Sequence, residues 1–325
     1  MSDKFSFNKQ IDLNEYDRIV LSSPQGTIFS SSFFLKSLKV NYQLWNIKQG
    51  SEIKAVVCLI TSKDNKNIIL NDYVIYGGLI FNTDTKRLVT KRRSDEFKIS
   101  EFVIEKLIKK YKKIEIQFAP EYLDIRPFQW LNYNQKVKKK FNLETKFTSY
   151  IDFKNQNLND FLNTELYKNM ETVRRYDYRM AIKEGAKIST TQNSTPFFKF
   201  YDEVLKKQEN MTTLKNLSNL KNLISNLIES NRGKIFYVED KLGNILYALF
   251  YIWDNKKAYY FLGAGNPKIN KSWQSIFGHC EIFKYIKENY GITRIDLEGV
   301  NSPKRGWFKL SLGGTLNSYY RVELK

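Results

Sequence analysis

The chain has 325 residues, 42% of them apolar, and its 53 Lys and Arg against 34 Asp and Glu give a formal charge of +19. The single histidine, His279, excludes a multi-histidine metal site within one chain and any triad not built on that one imidazole, so chemistry falls to carboxylates, Lys, Tyr or backbone amides. The two cysteines, Cys58 and Cys280, lie in separate apolar runs, too few for a disulfide framework or a zinc site, and read as core thiols in a reducing compartment.

The N-terminal residues are polar and carry no secretory h-region, and no run of about 18 apolar residues occurs, which predicts a cytoplasmic protein. Ile28 to Leu38 reads as a helix. AVVCLI (55–60) and YVIYGGLIF (73–81), β-branched and aromatic runs between polar turns, read as strands. Phe102, Ile104, Leu107, Ile108 and Tyr111 recur at helical spacing and lead straight into the strand IEIQF (114–118), an α/β signature. TKFTSYIDF (145–153) reads as a strand, and Leu158 to Lys183 as one or two helices ending at a Gly185 cap. At roughly 100 to 200 residues per domain the length fits two domains, 1–150 and 151–325.

The second half opens with a helix over Phe197 to Lys207. Leu214, Leu217, Leu220, Leu223, Ile224, Leu227 and Ile228 then mark a helical stripe too short for a coiled coil, hence a core face. KIFYVED (234–240), NILYALFYIWD (244–254) and KAYYFLGAG (257–265), joined by short polar turns, predict an antiparallel meander. An amphipathic helix from Ser272 to Asn289, the strand TRIDLEG (293–299) and a last helix–strand pair complete the chain. IEIQFAPEYLDIRPFQWL leading to TSYIDF parallels RIDLEGVNSPKRGWFKL leading to NSYYRVEL, which predicts a duplicated α/β unit.

No GxxxxGK[ST] loop exists and no GxGxxG follows a strand, so nucleotide hydrolysis and Rossmann redox chemistry are excluded. The positive charge divides evenly, +10 over residues 1–150 and +9 over 151–325, with clusters at Lys86 to Arg93, Lys109 to Lys113, Lys136 to Lys140 and Arg174, Arg175 and Arg179. A polyanion is the partner such clusters attract. The richest segment is Ile295 to Tyr320. Strand alternation puts Asp296 and Glu298 on one face, and beyond Gly299 come the cations Lys304, Arg305 and Lys309, the last set between Phe308 and Leu310. His279, on an amphipathic helix beside Cys280, reads as a structural histidine.

The strand DLEG, a short basic stretch, Phe308-Lys309-x-x-Leu312-Gly313-Gly314 and an aromatic strand together resemble the closing motif of the FemAB/FemX family of tandem acetyltransferase-like (GNAT) proteins. The likeness extends to YYFLGAGNP, to the Arg-rich helix ending in Ala181-Ile182-Lys183-Glu184-Gly185, and to YGGLIF and IEIQFAPEYLDIRPFQW in the first half. The resemblance implies two GNAT domains, the first binding an acceptor and the second binding the acyl donor and catalysing transfer, with an acceptor groove shared between them. It implies transfer of an acyl or aminoacyl group to an amine of a cell-envelope precursor, peptidoglycan or surface glycan, with peripheral contact at the inner membrane surface.

On that resemblance Lys309 stabilises the developing oxyanion, and Asp296 or Glu298 is placed to accept the amine's proton. Phe308, Lys304, Arg305 and Tyr260 are expected at the donor. Lys36, Lys39, Arg126, Arg175 and Arg179 are expected at the phosphates of the acceptor or of tRNA. No tightly bound cofactor is expected. Coenzyme A enzymes of this fold hold the pyrophosphate on a Gly-rich turn, whereas this chain has Asn266-Pro267-Lys268-Ile269-Asn270-Lys271-Ser272 there, which favours aminoacyl-tRNA over acyl-coenzyme A as donor. Two alternatives stand beside this reading: a coenzyme A-dependent N-acyltransferase of an amino sugar in surface polysaccharide synthesis, and a non-catalytic RNA-binding protein on a transferase scaffold.

Overall fold

The computed structural model describes residues 5–82, 86–135, 138–207 and 217–325. The chain divides into two units, Met1–Lys146 with Ser318–Lys325, and Phe147–Asn317. In the first unit β1 (Ser6–Lys9), β2 (Tyr42–Gln49), β3 (Glu52–Ile60) and β5 (Gly78–Phe81) form an antiparallel sheet in the order β1-β2-β3-β5. The short β4 (Asn67–Ile68) instead pairs parallel with β6 (Lys113–Gln117). Helices α1 (Leu13–Ser22), α2 (Ser32–Leu38) and α3 (Val89–Lys110) accompany them, with a single short helical turn at Arg126–Gln129. The spacing of Ile99, Phe102, Val103, Ile104 and Leu107 lays one face of α3 into a core with Val57, Leu59, Leu79 and Ile116.

Two sequence expectations change here. Ile28–Leu38 is not one helix: a 3₁₀ turn over Ile28–Ser30 ends at Ser31, whose side chain accepts the Phe34 N–H and caps α2. The strand expected over 73–81 begins only at Gly78. Its φ is +83°, and a Cβ there would stand 2.6 Å from the Phe118 ring and 2.7 Å from Ile116, so glycine is required and the backbone turns into the sheet at that point.

The second unit contains β7 (Asn142–Asp152) from Phe147 onward, β8 (Lys187–Thr191), β9 (Gly233–Glu239), β10 (Ile245–Trp253), β11 (Ala258–Gly265) and β12 (Arg294–Gly299). They lie in the order β7-β12-β11-β10-β9-β8. The expected meander is β9-β10-β11, and its first hairpin is set by the Asp240 carboxylate, which accepts the Leu242 and Asn244 amides. Its helices are α4 (Thr172–Lys183), α5 (Thr195–Lys207), α6 (Leu217–Glu229), α7 (Gln274–Tyr290) and α8 (Pro303–Leu310).

The segment expected as helix over 158–183 is broken into a 3₁₀ turn at Leu158–Asn163, a short helix at Glu165–Asn169 and α4, because Thr164 and Met170 are extended. Leu214 lies outside the described residues, and the rest of the leucine stripe is α6, with Leu220, Leu223, Ile224 and Leu227 buried. The final strand β13 (Thr315–Leu324) returns to the first unit, where Arg321–Leu324 pair antiparallel with β6. Strand, helical segment, strand thus recurs as β6, Arg126–Gln129, β7 and as β12, α8, β13. No helix among the described residues is long and apolar enough to cross a membrane.

Helix α7 runs through the core of the second unit with Ile276, Phe277, Cys280, Ile282 and Phe283 buried. Gly278 allows this close approach, since a Cβ there would meet Leu249 and Val238 at 2.7 Å. His279 is fully buried among Tyr251, Tyr260, Phe283 and Phe308, with the Tyr251 hydroxyl 2.5 Å from its Nδ1. Burial, with Lys309 adding to it, pushes the imidazole down to about 3. As the only imidazole in the chain it gives a single resolvable NMR signal, which is expected to stay at its neutral position from pH 8 down to 5. A titration midpoint near the ordinary histidine value of 6.5 would show that the ring meets water.

Candidate functional site

The site begins where two parallel strands part. β11 and β12 pair at Ala258 with Ile295 and at Tyr259 with Asp296, and no further. Beyond that point β11 continues to Gly265 along β10, while β12 kinks through a bulge between Asp296 and Gly299 against β7. The gap opens a cavity of about 780 Å³, a size suited to a small-molecule group. Tyr260, Phe261 and Gly263 from β11, Tyr247 from β10, Glu298 and Gly299 from β12, and Phe308 and Lys309 from α8 line it. Tyr201 and Val204 of α5 contribute a further wall.

Glu298 sits at the kink in the left-handed region, φ +58°, a conformation that costs a side-chain-bearing residue about 1 kcal/mol or more. The Asp296 carboxylate holds it there. Its Oδ1 accepts the Glu298 N–H at 2.8 Å and the Thr148 hydroxyl at 2.5 Å. Asp296 is wholly buried and does not line the cavity, whereas Glu298, 7% exposed, does. The expectation from strand alternation that the two carboxylates share one face fails because the bulge after Asp296 breaks the alternation, so Glu298 reaches the cavity while Asp296 stays buried. Glu298 Oε1 has no hydrogen-bond partner among the described residues. Loss of water raises its carboxyl well above the ordinary carboxylate range, with Lys309 opposing the rise and Asp296 adding to it.

Lys309 enters from α8. Its Nζ donates to the Gly299 carbonyl at 3.3 Å and stands 5.4 Å over the Tyr260 ring. Burial lowers its ammonium below the usual lysine range, against the pull of Glu298 and Asp296. Close packing fixes α8: a Cβ on Gly306 would stand 2.4 Å from the Val300 carbonyl oxygen, and one on Gly314 would stand 2.2 Å from Ser149 Oγ. Those contacts explain the glycines on either side of the Phe308-Lys309 pair. Phe308 lies between the His279 ring at 5.8 Å and the Arg174 guanidinium at 5.2 Å, and Arg174 Nε donates to Ser311 Oγ at 2.9 Å.

Lys304 and Arg305 are exposed on the first turn of α8 and line the cavity, as does Tyr260, so the expected donor set converges there. The other expected cations do not join it. Arg175 donates to Thr172 Oγ1 at 3.1 Å and Arg179 to the Tyr167 hydroxyl at 2.6 Å, and neither lines the cavity. In the first unit Lys36 and Lys39 are exposed at the end of α2, and Arg126 is held bidentate by Asp124 at 2.7 and 2.6 Å. Of the three arginines of α4 it is Arg174 that packs against Phe308. Arg174 is in phase with the buried Asp177, Tyr178 and Ala181, a helical spacing that marks it as the inward one.

The turn between β11 and α7 is closed by its own side chains. Asn266 accepts the Lys268 amide at 2.9 Å, and Gln274 accepts the Lys271 amide at 3.1 Å while donating to Asn270 at 3.0 Å.

Neither models of known protein families nor the curated proteins match this sequence. Among solved structures the chain is similar to FemX, with 14% identity, 97% of this chain and 96% of that one covered, and a TM-score of 0.64. It is similar also to a tandem GNAT protein from the clavulanic acid biosynthesis pathway, at 7% identity with 99% and 98% covered and a TM-score of 0.56. A third likeness is to L-PGS from Bacillus licheniformis, at 12% identity with 97% and 92% covered and a TM-score of 0.55. At such identities the likeness is one of fold, and the fold is the α/β tandem GNAT fold of FemX that the motifs around DLEG and Phe308-Lys309 imply.

Proposed function

We propose that the chain is an acyltransferase that moves an aminoacyl group from aminoacyl-tRNA to an amine of a cell-envelope precursor. The observation that carries the transfer chemistry is the pairing of a buried, raised-pKa carboxyl, Glu298, with a lysine, Lys309, on one cavity between parted strands. An acceptor amine arrives as its ammonium and must lose a proton before it can attack. Glu298, more basic than an ordinary carboxylate and with an oxygen that has no hydrogen-bond partner among the described residues, takes that proton.

The amine nitrogen then bonds to the donor's ester carbonyl carbon, and the carbonyl oxygen becomes an oxyanion. Lys309, on the wall of the same cavity, offsets that charge. Collapse breaks the ester bond, the leaving hydroxyl takes up a proton, and an amide remains. Lys304 and Arg305 at the cavity rim suit an anionic portion of the donor, and the aromatic walls suit its acyl part. The choice of donor rests on the turn from 266 to 274, where the Lys268 and Lys271 amides are spent on Asn266 and Gln274 rather than left open to a pyrophosphate. The choice of acceptor rests on the fold likeness to FemX.

Single-turnover transfer from radiolabelled aminoacyl-tRNA, run in parallel with acyl-coenzyme A and candidate amines, tests both levels. Lys309→Ala and Glu298→Gln are expected to lose about a hundredfold or more in rate with little change in melting temperature. Consumption of the thioester alone would replace the tRNA donor with coenzyme A, and unchanged rates in both variants would remove the site.

The pH profile gives a second test. A base must be unprotonated to act, so wild-type activity is expected to rise with pH through the raised Glu298 ionisation, above the ordinary carboxylate range. Glu298→Gln is expected to lack that limb. An identical limb in the variant assigns it to another group.

A further inference from the structure

The lining of the cavity divides into a charged part and an uncharged one. Its charged side chains, Glu298, Lys304, Arg305 and Lys309, come from β12 and α8. The part contributed by α5, β10 and β11 holds Tyr201, Val204, Tyr247, Tyr260, Phe261 and Leu262, with only glycine and alanine at 263–265. Asp202 and Glu203 of α5 leave that part uncharged, since they pair with Lys206 at 2.8 and 3.1 Å and neither lines the cavity. Among the described residues Glu298 is the one carboxylate on the cavity wall.

The uncharged part begins at the reacting centre. Lys309 Nζ stands 5.4 Å over the Tyr260 ring, so a carbonyl oxygen held by that ammonium brings its carbon up to β11. From there Tyr260 leans along its own strand. Its hydroxyl is 3.5 Å from that of Tyr247, and a Cβ on Gly263 would stand 2.1 Å from it.

Taking the transfer reading as given, we infer that the acyl group carries an uncharged, apolar side chain of about the size of leucine or phenylalanine, which lies against these rings. A lysyl or arginyl side chain would add a fourth cation to a cavity already lined by three. The face of Tyr260 is taken by Lys309, and Glu298 is committed to the acceptor amine, so nothing there would offset the added charge. An aspartyl carboxylate would give up its water against the same rings. An alanyl methyl group would leave most of that apolar surface uncovered.

Calorimetric binding to the full chain, without acceptor, tests this with two series of donors that are not consumed: aminoacylamino-adenosines, in which an amide replaces the ester, and coenzyme A thioesters. Each series carries side chains like those of leucine, phenylalanine, alanine, lysine and aspartate, and binding of one series or the other identifies the carrier. Within a series that binds, the leucine and phenylalanine members are expected to be about tenfold or more tighter than the alanine member, and about a hundredfold or more tighter than the lysine and aspartate members. Val204→Asp sets a carboxylate on the uncharged part and is expected to bring the lysine member to within about tenfold of the leucine member. Should that variant lose its melting transition, the wild-type ranking decides alone. A flat ranking, a preference for alanine or lysine, or no binding in either series overturns the inference. Transfer is measured separately. Ranked binding with no transfer from either carrier removes the transferase reading and leaves the apolar pocket in place, whereas transfer with a flat ranking removes the pocket's selectivity alone.

Discussion

One hydrogen bond organises the candidate site: the Asp296 carboxylate accepting the amide of Glu298. It holds a left-handed turn at the end of an otherwise regular central strand, and that turn separates β12 from β11. The parallel pairing ends at Tyr259 and Asp296, and Tyr260, Glu298 and Lys309 line the space beyond it. The strain at Glu298 and the desolvation of its carboxyl are both costs to folding. A structure that bears two such costs at one residue, in a cavity, has the character of a functional site rather than a packing solution.

This arrangement also gives the two acidic residues of the DLEG stretch different duties. Asp296, wholly buried and bonded to Thr148 and to the Glu298 amide, positions the turn. Glu298, at the end of that turn, faces the cavity with an oxygen to spare. His279 is fixed between Tyr251, Tyr260 and Phe308 and packs beneath the site, held neutral by burial.

The large elements were legible because their signals are strong and local. The meander carries long aromatic and β-branched runs with polar turns, and α7 carries an apolar face ending at Gly291, so both emerge close to where the residue pattern puts them. The duplicated strand–helical segment–strand pattern was also visible as sequence. That Asp296 and Glu298 part company was not legible, because alternation assumes a regular strand and β12 is irregular at its end. Gly299 was the only local hint of the bulge. The three arginines of α4 read in sequence as one cluster of charge, whereas helical phase against Tyr178 and Ala181 singles out Arg174 as the inward one. Tyr201 and Val204 could not be placed, since which wall a helix contributes depends on tertiary packing. The net charge of +19 acquires a location in the site, a cationic rim at Lys304 and Arg305.

Chemical rescue tests most directly whether Glu298 is the proton acceptor. Glu298→Gly keeps the left-handed turn, because glycine adopts φ +58° without strain, and removes only the carboxyl. The variant is expected to fold at least as stably as the parent, to lose transfer, and to regain it in proportion to added formate, whose carboxylate fits the vacated space. A variant that stays fully active without formate, or one that binds donor and acceptor yet gains nothing from it, would show that the proton leaves by another route.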